Sequence, residues 1–278
     1  MTVGIVGLGL IGASMAKAFR ANTSHTLLGY DVDAQVEGFA ALSDIVDEEL
    51  TFSRLPECDI LILATYPASA RAYLEHAAAQ LRPDAIVMDC LGVKGRICAL
   101  GFSLAGRYGF TFVGGHPMAG SAHSGIKYAT ATLFQGASMV LVPPDGDDIA
   151  LMERLKAWLL PLGFAHITVT TAEEHDRRIG FTSQLPHLLS NALMQSPSCD
   201  GKAGFSAGSF RDLTRVAALN PRMWTELFLE NRENLLGELD VLLSTLRQYR
   251  SALAMSDAAA LQALLAAGSQ RKKEISQA

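Results

Sequence analysis

The sequence of 278 residues is poor in charge and in cysteine. Only 18% of its residues are Asp, Glu, Lys or Arg, against about 25% in an average soluble domain, and 49% are hydrophobic. This balance excludes a disordered chain and favours strands that are buried on both faces. The four cysteines form no CxxC pair, so the sequence predicts neither a disulfide framework nor a metal site.

Basic residues are not in excess either. The net charge of −5 argues against nucleic acid or an anionic membrane surface as a partner, because either would need a surplus of Lys and Arg. The apolar stretch from Val3 to Met15 has no basic segment before it and contains four glycines, so it fits neither a signal peptide nor a membrane span. We therefore expect a cytoplasmic protein.

Short apolar runs alternate with helical stretches over the first 170 residues, which is typical of a parallel sheet covered by helices. The predicted strands are Thr2–Val6, Thr26–Tyr30, Ile60–Ala64, Ile86–Asp89, Thr111–Gly114 and Ser138–Val142. Beyond Val169 the helical periodicity continues to the end. The sequence thus predicts an α/β domain over residues 1–170 and an all-α domain over residues 171–278.

A long helix is predicted after Asn220 and Pro221, which suit an N-cap and a first helical position. Apolar residues then recur every seven positions, so one helix could run to about Met255. The first row of this stripe is Phe228, Leu235, Leu242 and Tyr249, and the second is Leu239, Leu246 and Leu253. Two interpretations stay open: the stripe packs inside its own chain, or it forms a helical dimer interface.

A glycine-rich motif follows the first predicted strand. Residues 3–14 read VGIVGLGLIGAS, which places Gly7, Gly9 and Gly12 in a GxGxxG between a strand and a helix. The first glycine permits a tight turn, the second lets the backbone approach a pyrophosphate, and the third allows close packing of the helix. The segment Gly7, Leu8, Gly9, Leu10, Ile11 and Gly12 is therefore the predicted dinucleotide-binding turn.

An acidic residue stands where such a motif requires one. Asp31 ends the second strand, nineteen residues after Gly12, and would accept hydrogen bonds from the adenine ribose while repelling a 2′-phosphate. Because Val32 and Asp33 follow instead of an arginine, we predict NAD and not NADP. Thr65 follows the Ile60–Ala64 strand, where another cofactor-binding loop would start.

Four later segments narrow the range of reactions that the protein could catalyse. They are DCLGVKG at 89–95, FVGGHPMAGSAHSG at 112–125, EEHDRRIGFTSQLPHLL at 173–189 and GSFRDLTRVAALNP at 208–221. With the glycine motif, they resemble the prephenate/arogenate dehydrogenase family of tyrosine biosynthesis, from residue 3 to about residue 250. The resemblance implies a Rossmann-like domain joined to a helical dimerisation domain, a homodimer, and NAD(P)-dependent oxidative decarboxylation of a cyclohexadienol acid.

The resemblance also implies roles for individual residues. His116, expected on a loop at the carboxyl edge of the sheet, corresponds to the catalytic histidine, and Arg215 to the arginine that binds a substrate carboxylate. His187 and Ser183 match the ends of the family's Ser-His-Leu-Pro-His pattern, and Ser121 could donate to the substrate. Helical spacing places Asp176, Gly180, Ser183, His187 and Asn191 on one face of a helix over residues 173–195.

The sequence departs from the family pattern at three positions. Gly92 stands where many relatives carry serine, Gln184 replaces the first histidine of Ser-His-Leu-Pro-His, and Ala122 replaces a glutamate common in prephenate-using relatives.

We predict a prephenate dehydrogenase that forms 4-hydroxyphenylpyruvate. The alternatives are an arogenate (cyclohexadienyl) dehydrogenase that forms tyrosine directly and a non-catalytic NAD-sensing module.

Overall fold

The computed structural model describes residues 1–121, 123–200, 205 and 207–277. The chain divides into two compact units, Met1–Asn231 and Arg232–Ala278. Every site described below belongs to the first unit. The domain boundary that the sequence places near Thr170 stays a prediction.

One eight-stranded sheet forms the centre of the first unit, with strand order β3-β2-β1-β4-β5-β6-β7-β8. Neighbouring strands are parallel except β6 and β7, which are antiparallel. The strands are β1 (Thr2–Val6), β2 (Thr26–Tyr30), β3 (Glu48–Glu49), β4 (Ile60–Leu63), β5 (Ile86–Asp89), β6 (Thr111–Pro117), β7 (Ser138–Val142) and β8 (His166–Val169). The sequence predicted six of these and missed the short β3 and the edge strand β8.

Both faces of the sheet are covered. In β4, Ile60 and Ile62 join one buried cluster while Leu61 and Leu63 join another, which explains why the strand is apolar throughout. The first cluster includes side chains of α1 and α5, and the second includes those of α3 and α4. The helices of this part are α1 (Leu10–Asn22), α2 (Ala34–Leu42), α3 (Pro67–Ala77), α4 (Gly95–Tyr108) and α5 (Ile149–Leu159).

The strand order reverses at β1, which pairs with β2 on one side and with β4 on the other. In open α/β sheets, ligands bind in the crevice outside the carboxyl ends of the strands at such a switch point. The glycine turn follows β1, Asp31 follows β2 and Thr65 lies just after β4, so all three lie at this edge of the sheet.

A helix interrupted by a π turn follows the sheet. It consists of α6 (Ala172–Ile179), the π turn Gly180–Gln184 and α7 (Leu185–Leu193). Pro186 has no N–H to donate to the preceding turn, and a π turn is one way in which a helix accommodates that loss. After α7 come α8 (Gly208–Thr214) and α9 (Pro221–Glu230).

The prediction of a single helix from Pro221 to about Met255 is wrong. The helix breaks at Asn231, which separates α9 from α10 (Arg232–Ala254). Asn231 is buried, and its side-chain amide donates to the Asp176 carbonyl and to Gln184 Oε1, both at 2.8 Å. These contacts hold Asn231 outside the helical conformation, with φ −108° and ψ 24°.

The second unit contains α10 and α11 (Ala258–Gln277), which pack against each other. Several large apolar side chains of this hairpin are exposed, namely Leu236, Val241, Leu243, Leu246, Leu253, Met255, Leu265 and Ile275. Of the helices in the described ranges, none is both long and apolar enough to cross a lipid bilayer.

Candidate active site

The three motif glycines occupy three different environments in the turn between β1 and α1. Gly7 has φ +90°, and a Cβ there would lie 2.5 Å from the Ala64 carbonyl oxygen. A Cβ on Gly12 would lie 1.9 Å from the Gly7 carbonyl oxygen, so only glycine permits this approach of helix to turn. Next to Gly9, by contrast, no described atom lies within 4 Å of the Cβ position. The open side of Gly9 leaves room for a ligand against the backbone.

The start of α1 is free to bind an anion. Gly9 is its N-cap and supplies no side chain to the first N–H groups, and the first turn, which contains Leu10 and Ile11, carries no acidic residue. Leu8 has its N–H directed to Asp31 Oδ2, at 2.7 Å. This geometry fits a dinucleotide, with the pyrophosphate at the helix N-terminus and the ribose beside Asp31.

Asp31 and Thr65 border the turn. The second oxygen of Asp31, Oδ1, accepts the N–H of Asp33 at 3.0 Å, which fixes the carboxylate at the end of β2. The Cβ of Thr65 lies 3.0 Å from the position that a Cβ on Gly7 would occupy, so Thr65 is next to the glycine turn. Both side chains are partly exposed and therefore accessible to a ligand.

His116 lies within strand β6 and not on a loop, which corrects the expectation from the sequence. The strand continues through Pro117 because β6, after pairing with β5, pairs with the antiparallel β7, where His116 is opposite Val140. The residue as a whole is mostly buried, with part of its surface exposed. The pKa of His116 is held well below its ordinary value, mainly by burial and then by electrostatic interaction with His175 and with Lys94. The ring is therefore neutral at pH 7.

A buried ion pair fixes the backbone next to His116. The Lys94 ammonium contacts Asp89 Oδ2 and donates to the Gly115 carbonyl oxygen at 2.6 Å. Asp89 also accepts the N–H of Leu91 at 2.9 Å and that of Gly115 at 3.3 Å. Both charged side chains are fully buried, and together they join the ends of β5 and β6. Lys94 therefore positions the residue that precedes His116.

Gly92 lies beside the free nitrogen of His116. A Cβ at Gly92 would be 4.0 Å from His116 Nε2 and 3.3 Å from Leu227 Cδ2. Leu227 of α9 thus packs against the position where a side chain at residue 92 would begin. The hydroxyl expected here from the family pattern is absent, and the position of its side chain is bordered by Leu227 and by His116 Nε2.

His175 and Asp176 complete the surroundings of His116, and the sequence analysis assigned neither of them to the active site. His175 Nε2 lies 2.9 Å from His116 Nδ1, and His175 Nδ1 lies 2.7 Å from Asp176 Oδ1. Asp176 also accepts the N–H groups of Lys94 and Gly95, which caps α4. The sequence analysis placed Asp176 on the same helix face as Ser183 and His187, and the adjacent His-Asp pair is a further signal that could have indicated this contact.

Two of the other predicted substrate residues, His187 on α7 and Ser183 in the π turn, are in contact with each other. His187 Nδ1 donates to the Ser183 carbonyl oxygen at 2.7 Å, and the ring stacks on Trp224 with centroids 4.2 Å apart. Asn191 donates to the Ala217 carbonyl at 3.0 Å, which connects α7 to the segment after Arg215.

The π turn changes the predicted helix face. It adds one residue to a turn, so residues before and after it no longer keep the phase of an uninterrupted α-helix. Asp176 accordingly contacts the start of α4, whereas His187 contacts Trp224 of α9.

Arg215 and Ser121 are exposed. Arg215 ends α8, and its guanidinium forms no ion pair or hydrogen bond with any residue that the structure describes. Ser121 Oγ accepts the N–H of His123 at 3.3 Å. Within the described residues no hydrogen bond joins either side chain to His116, and Ala122 lies outside the described residues. The substrate roles of Arg215, Ser121, Ser183 and His187 stay predictions.

Comparisons with known proteins point to one family. Residues 15–168 match the family model of the prephenate dehydrogenase nucleotide-binding domain, and residues 171–267 match that of its dimerization domain. Prephenate dehydrogenase of Bacillus subtilis (strain 168) is 32% identical over 267 residues, which cover 92% of this chain and 71% of that protein.

Two solved structures extend the likeness over nearly the whole chain. Synechocystis arogenate dehydrogenase has a TM-score of 0.81 and 32% identity, with 99% of this chain and 100% of that chain covered. Prephenate dehydrogenase from Aquifex aeolicus, in complex with hydroxyphenyl propionate and NAD+, has a TM-score of 0.85 and 29% identity, with 99% and 98% covered.

Proposed function

The chain belongs to the prephenate dehydrogenase family of oxidoreductases, and from this premise we propose that it catalyses the NAD-dependent oxidative decarboxylation of prephenate to 4-hydroxyphenylpyruvate in tyrosine biosynthesis. The observation that carries the proposal is His116, whose Nε2 lies beside Gly92 at the same sheet edge as the glycine turn. The NAD+ complex of the Aquifex aeolicus relative supports the cofactor.

Each part of the site has a task in this reaction. Gly7, Gly9 and Gly12 would hold the pyrophosphate, and Asp31 the adenine ribose. Bound NAD supplies the acceptor for the hydride that leaves the substrate carbon bearing the hydroxyl. As that carbon loses electrons, neutral His116 takes the hydroxyl proton at Nε2, which prevents positive charge from accumulating there. Loss of CO2 then makes the ring aromatic, so the reaction is effectively irreversible.

Arg215 is assigned to a carboxylate of the substrate. Its guanidinium can hold a carboxylate through two parallel hydrogen bonds, each contributing about 1.5–3 kcal/mol. Arg215→Ala should raise KM more than tenfold while NAD binding stays unchanged. Arg107→Ala, which removes another exposed arginine, serves as the control. An unchanged KM in Arg215→Ala would show that the assignment is wrong. His187, Ser183 and Ser121 are assigned to the same substrate.

The decisive experiment measures kcat/KM for prephenate and for arogenate, with NAD and with NADP. We expect prephenate with NAD to give the highest value, and His116→Asn to lower kcat by roughly 10²–10⁴ while NAD binding is kept. A His116→Asn variant whose kcat is within a few-fold of the wild-type value would refute the role of His116. Failure to reduce NAD with either substrate would favour a non-catalytic NAD-sensing module.

The second candidate function is arogenate dehydrogenase. It is favoured by the 32% identity to Synechocystis arogenate dehydrogenase and by Ala122, where prephenate-using relatives commonly have glutamate. The two substrates differ in carrying an ammonium or a keto group on the side chain. A higher kcat/KM for arogenate in the same experiment would replace the first proposal by the second.

We also propose a homodimer formed through the helical domain over residues 171–278, with residues 1–170 as the dinucleotide-binding domain. The match to a dimerization domain supports this, as do exposed side chains such as Val241, Leu246 and Leu253 on α10. Sedimentation at micromolar concentration should give a dimer, and Leu246→Glu with Leu253→Glu should shift it to monomer. A wild-type monomer under these conditions would reject the proposal.

A further inference from the structure

A line of hydrogen bonds leads from His116 to a buried carboxylate. His116 Nδ1 is 2.9 Å from His175 Nε2, and His175 Nδ1 is 2.7 Å from Asp176 Oδ1. Asp176 Oδ1 also accepts the Lys94 N–H at 2.7 Å, and Asp176 Oδ2 accepts the Gly95 N–H at 2.8 Å. The two backbone groups are donors only, so both oxygens of the Asp176 carboxylate act as acceptors.

With Asp176 as a carboxylate and His175 as a neutral imidazole, the contacts set one order of donors along the line. Asp176 then takes a proton from His175 Nδ1, and the lone pair of His175 is on Nε2. His116 must therefore donate from Nδ1, which leaves the lone pair on Nε2. That nitrogen lies beside Gly92. The hydrogen bonds thus select the tautomer of His116 that can take a proton at Nε2 from a bound substrate.

We propose that His175 and Asp176 are positioning residues that form a proton relay behind His116. This inference rests on the proposed function. While the C–H electron pair leaves the substrate as hydride to the oxidised nicotinamide, the hydroxyl proton moves to His116 Nε2. The proton on His116 Nδ1 moves to His175 Nε2, so the positive charge comes to lie next to the Asp176 carboxylate.

The second half of the reaction returns the proton. The electrons of the C–CO2 bond enter the ring, CO2 leaves, and the ring oxygen becomes a phenolate. His175 returns a proton to His116 Nδ1, and His116 Nε2 returns one to the phenolate. The relay therefore stores one proton during turnover and releases none, which balances a reaction whose product keeps its hydroxyl group.

The surroundings of the two histidines favour this direction of transfer. Lys94 is bound to the carbonyl of Gly115, directly before His116, and its positive charge opposes an imidazolium on His116. His175 is 2% exposed and in direct contact with a carboxylate. A positive charge is therefore better compensated on His175 than on His116.

His175→Gln separates positioning from proton transfer. The glutamine oxygen can still accept from His116 Nδ1, but it does not take up a proton. We expect kcat to fall roughly 10- to 100-fold, less than the roughly 10²–10⁴ of a group that exchanges the proton directly with the substrate, with KM and the Kd of NAD changed less than twofold. The dependence of kcat on the D2O fraction should change from curved, for two protons in motion, to linear. His76→Gln is the matched control, because that exposed ring bonds only to Ala72 of its own helix.

A measurement on the wild type makes the test independent of whether the variant folds. Nitrogen-15 NMR of the labelled histidines should find His116 protonated on Nδ1 and unprotonated on Nε2. A proton on Nε2, or a His175→Gln enzyme with unchanged kcat and D2O dependence, would overturn the relay while leaving the proposed function intact. Failure of the wild-type enzyme to reduce NAD with prephenate or with arogenate would overturn the proposed function itself.

Discussion

Two alanine substitutions in the glycine turn should have opposite consequences. At Gly9 the Cβ position is open, and the backbone has φ −72°, so Gly9→Ala should fold without strain. At Gly12 the added Cβ would lie 1.9 Å from the Gly7 carbonyl oxygen, far inside van der Waals contact. Because that oxygen belongs to the backbone, the turn itself must move.

The sizes of the two effects follow from these contacts. For Gly12→Ala, forced overpacking typically costs about 1–3 kcal/mol, whereas the better helix propensity of alanine returns at most about 1 kcal/mol. We expect a net loss of about 1–2 kcal/mol and a Tm lower by about 2–4 °C for each kcal/mol. For Gly9→Ala we expect stability within about 0.5 kcal/mol of the wild type. Its methyl group would fill the space that the pyrophosphate needs, so the Kd of NAD should rise at least tenfold, or about 1.4 kcal/mol.

Urea unfolding and NAD titration calorimetry on the same preparations test both statements. The expected pattern is a stable Gly9→Ala protein with weak NAD binding and a less stable Gly12→Ala protein. Wild-type NAD affinity in Gly9→Ala would refute the placement of the pyrophosphate against Gly9. Unchanged stability in Gly12→Ala would refute the rigidity of the turn.

Three further outcomes follow from the same site. Asp31→Ser should lower the affinity for NAD and raise that for NADP, because the carboxylate that repels a 2′-phosphate is removed; titration with both cofactors measures the ratio. Lys94→Met leaves the charge of Asp89 buried without its partner and should lower the free energy of unfolding by about 3–5 kcal/mol, measured in urea, with partial recovery when Asp89→Leu is added. Since the pKa of His116 is lowered in the folded protein, the unfolded chain binds the proton more readily, and stability should fall as pH drops below 6.5, by up to about 1.4 kcal/mol per pH unit. In His116→Asn the free energy of unfolding should depend less steeply on pH below 6.5. An unchanged slope in this variant would contradict the lowered pKa of His116 as the cause.

The glycine turn could be predicted from the sequence because all its requirements are local. Gly7, Gly9 and Gly12 lie within one strand-turn-helix unit, and the spacing alone implies a tight turn, an open backbone and a close packing contact. The structure has each of these in the predicted place. The strands were predictable for a similar reason, because burial on both faces makes each of them a continuous apolar run.

The surroundings of His116 depend on contacts that no local pattern encodes. His116 and His175 are 59 positions apart and meet only because α6 packs next to the end of β6. The break at Asn231 has the same origin: the heptad stripe continues through it, but its amide is held by Asp176 and Gln184 from another helix. Tertiary hydrogen bonds outweighed the helical periodicity there.

Scarcity of charge determines how this site can bind an anionic substrate. The chain has a net charge of −5, so its overall field repels both a dinucleotide and a dicarboxylate. Lys94 is paired with Asp89 and Arg71 with Glu230, so neither of these cations can bind a carboxylate without first breaking an ion pair. Arg215, whose guanidinium has no partner among the described residues, is thus available to a carboxylate without first breaking an ion pair. A guanidinium that gives up no internal partner keeps the full gain of the new contact, so substrate affinity should depend on Arg215 more than on any broad basic surface.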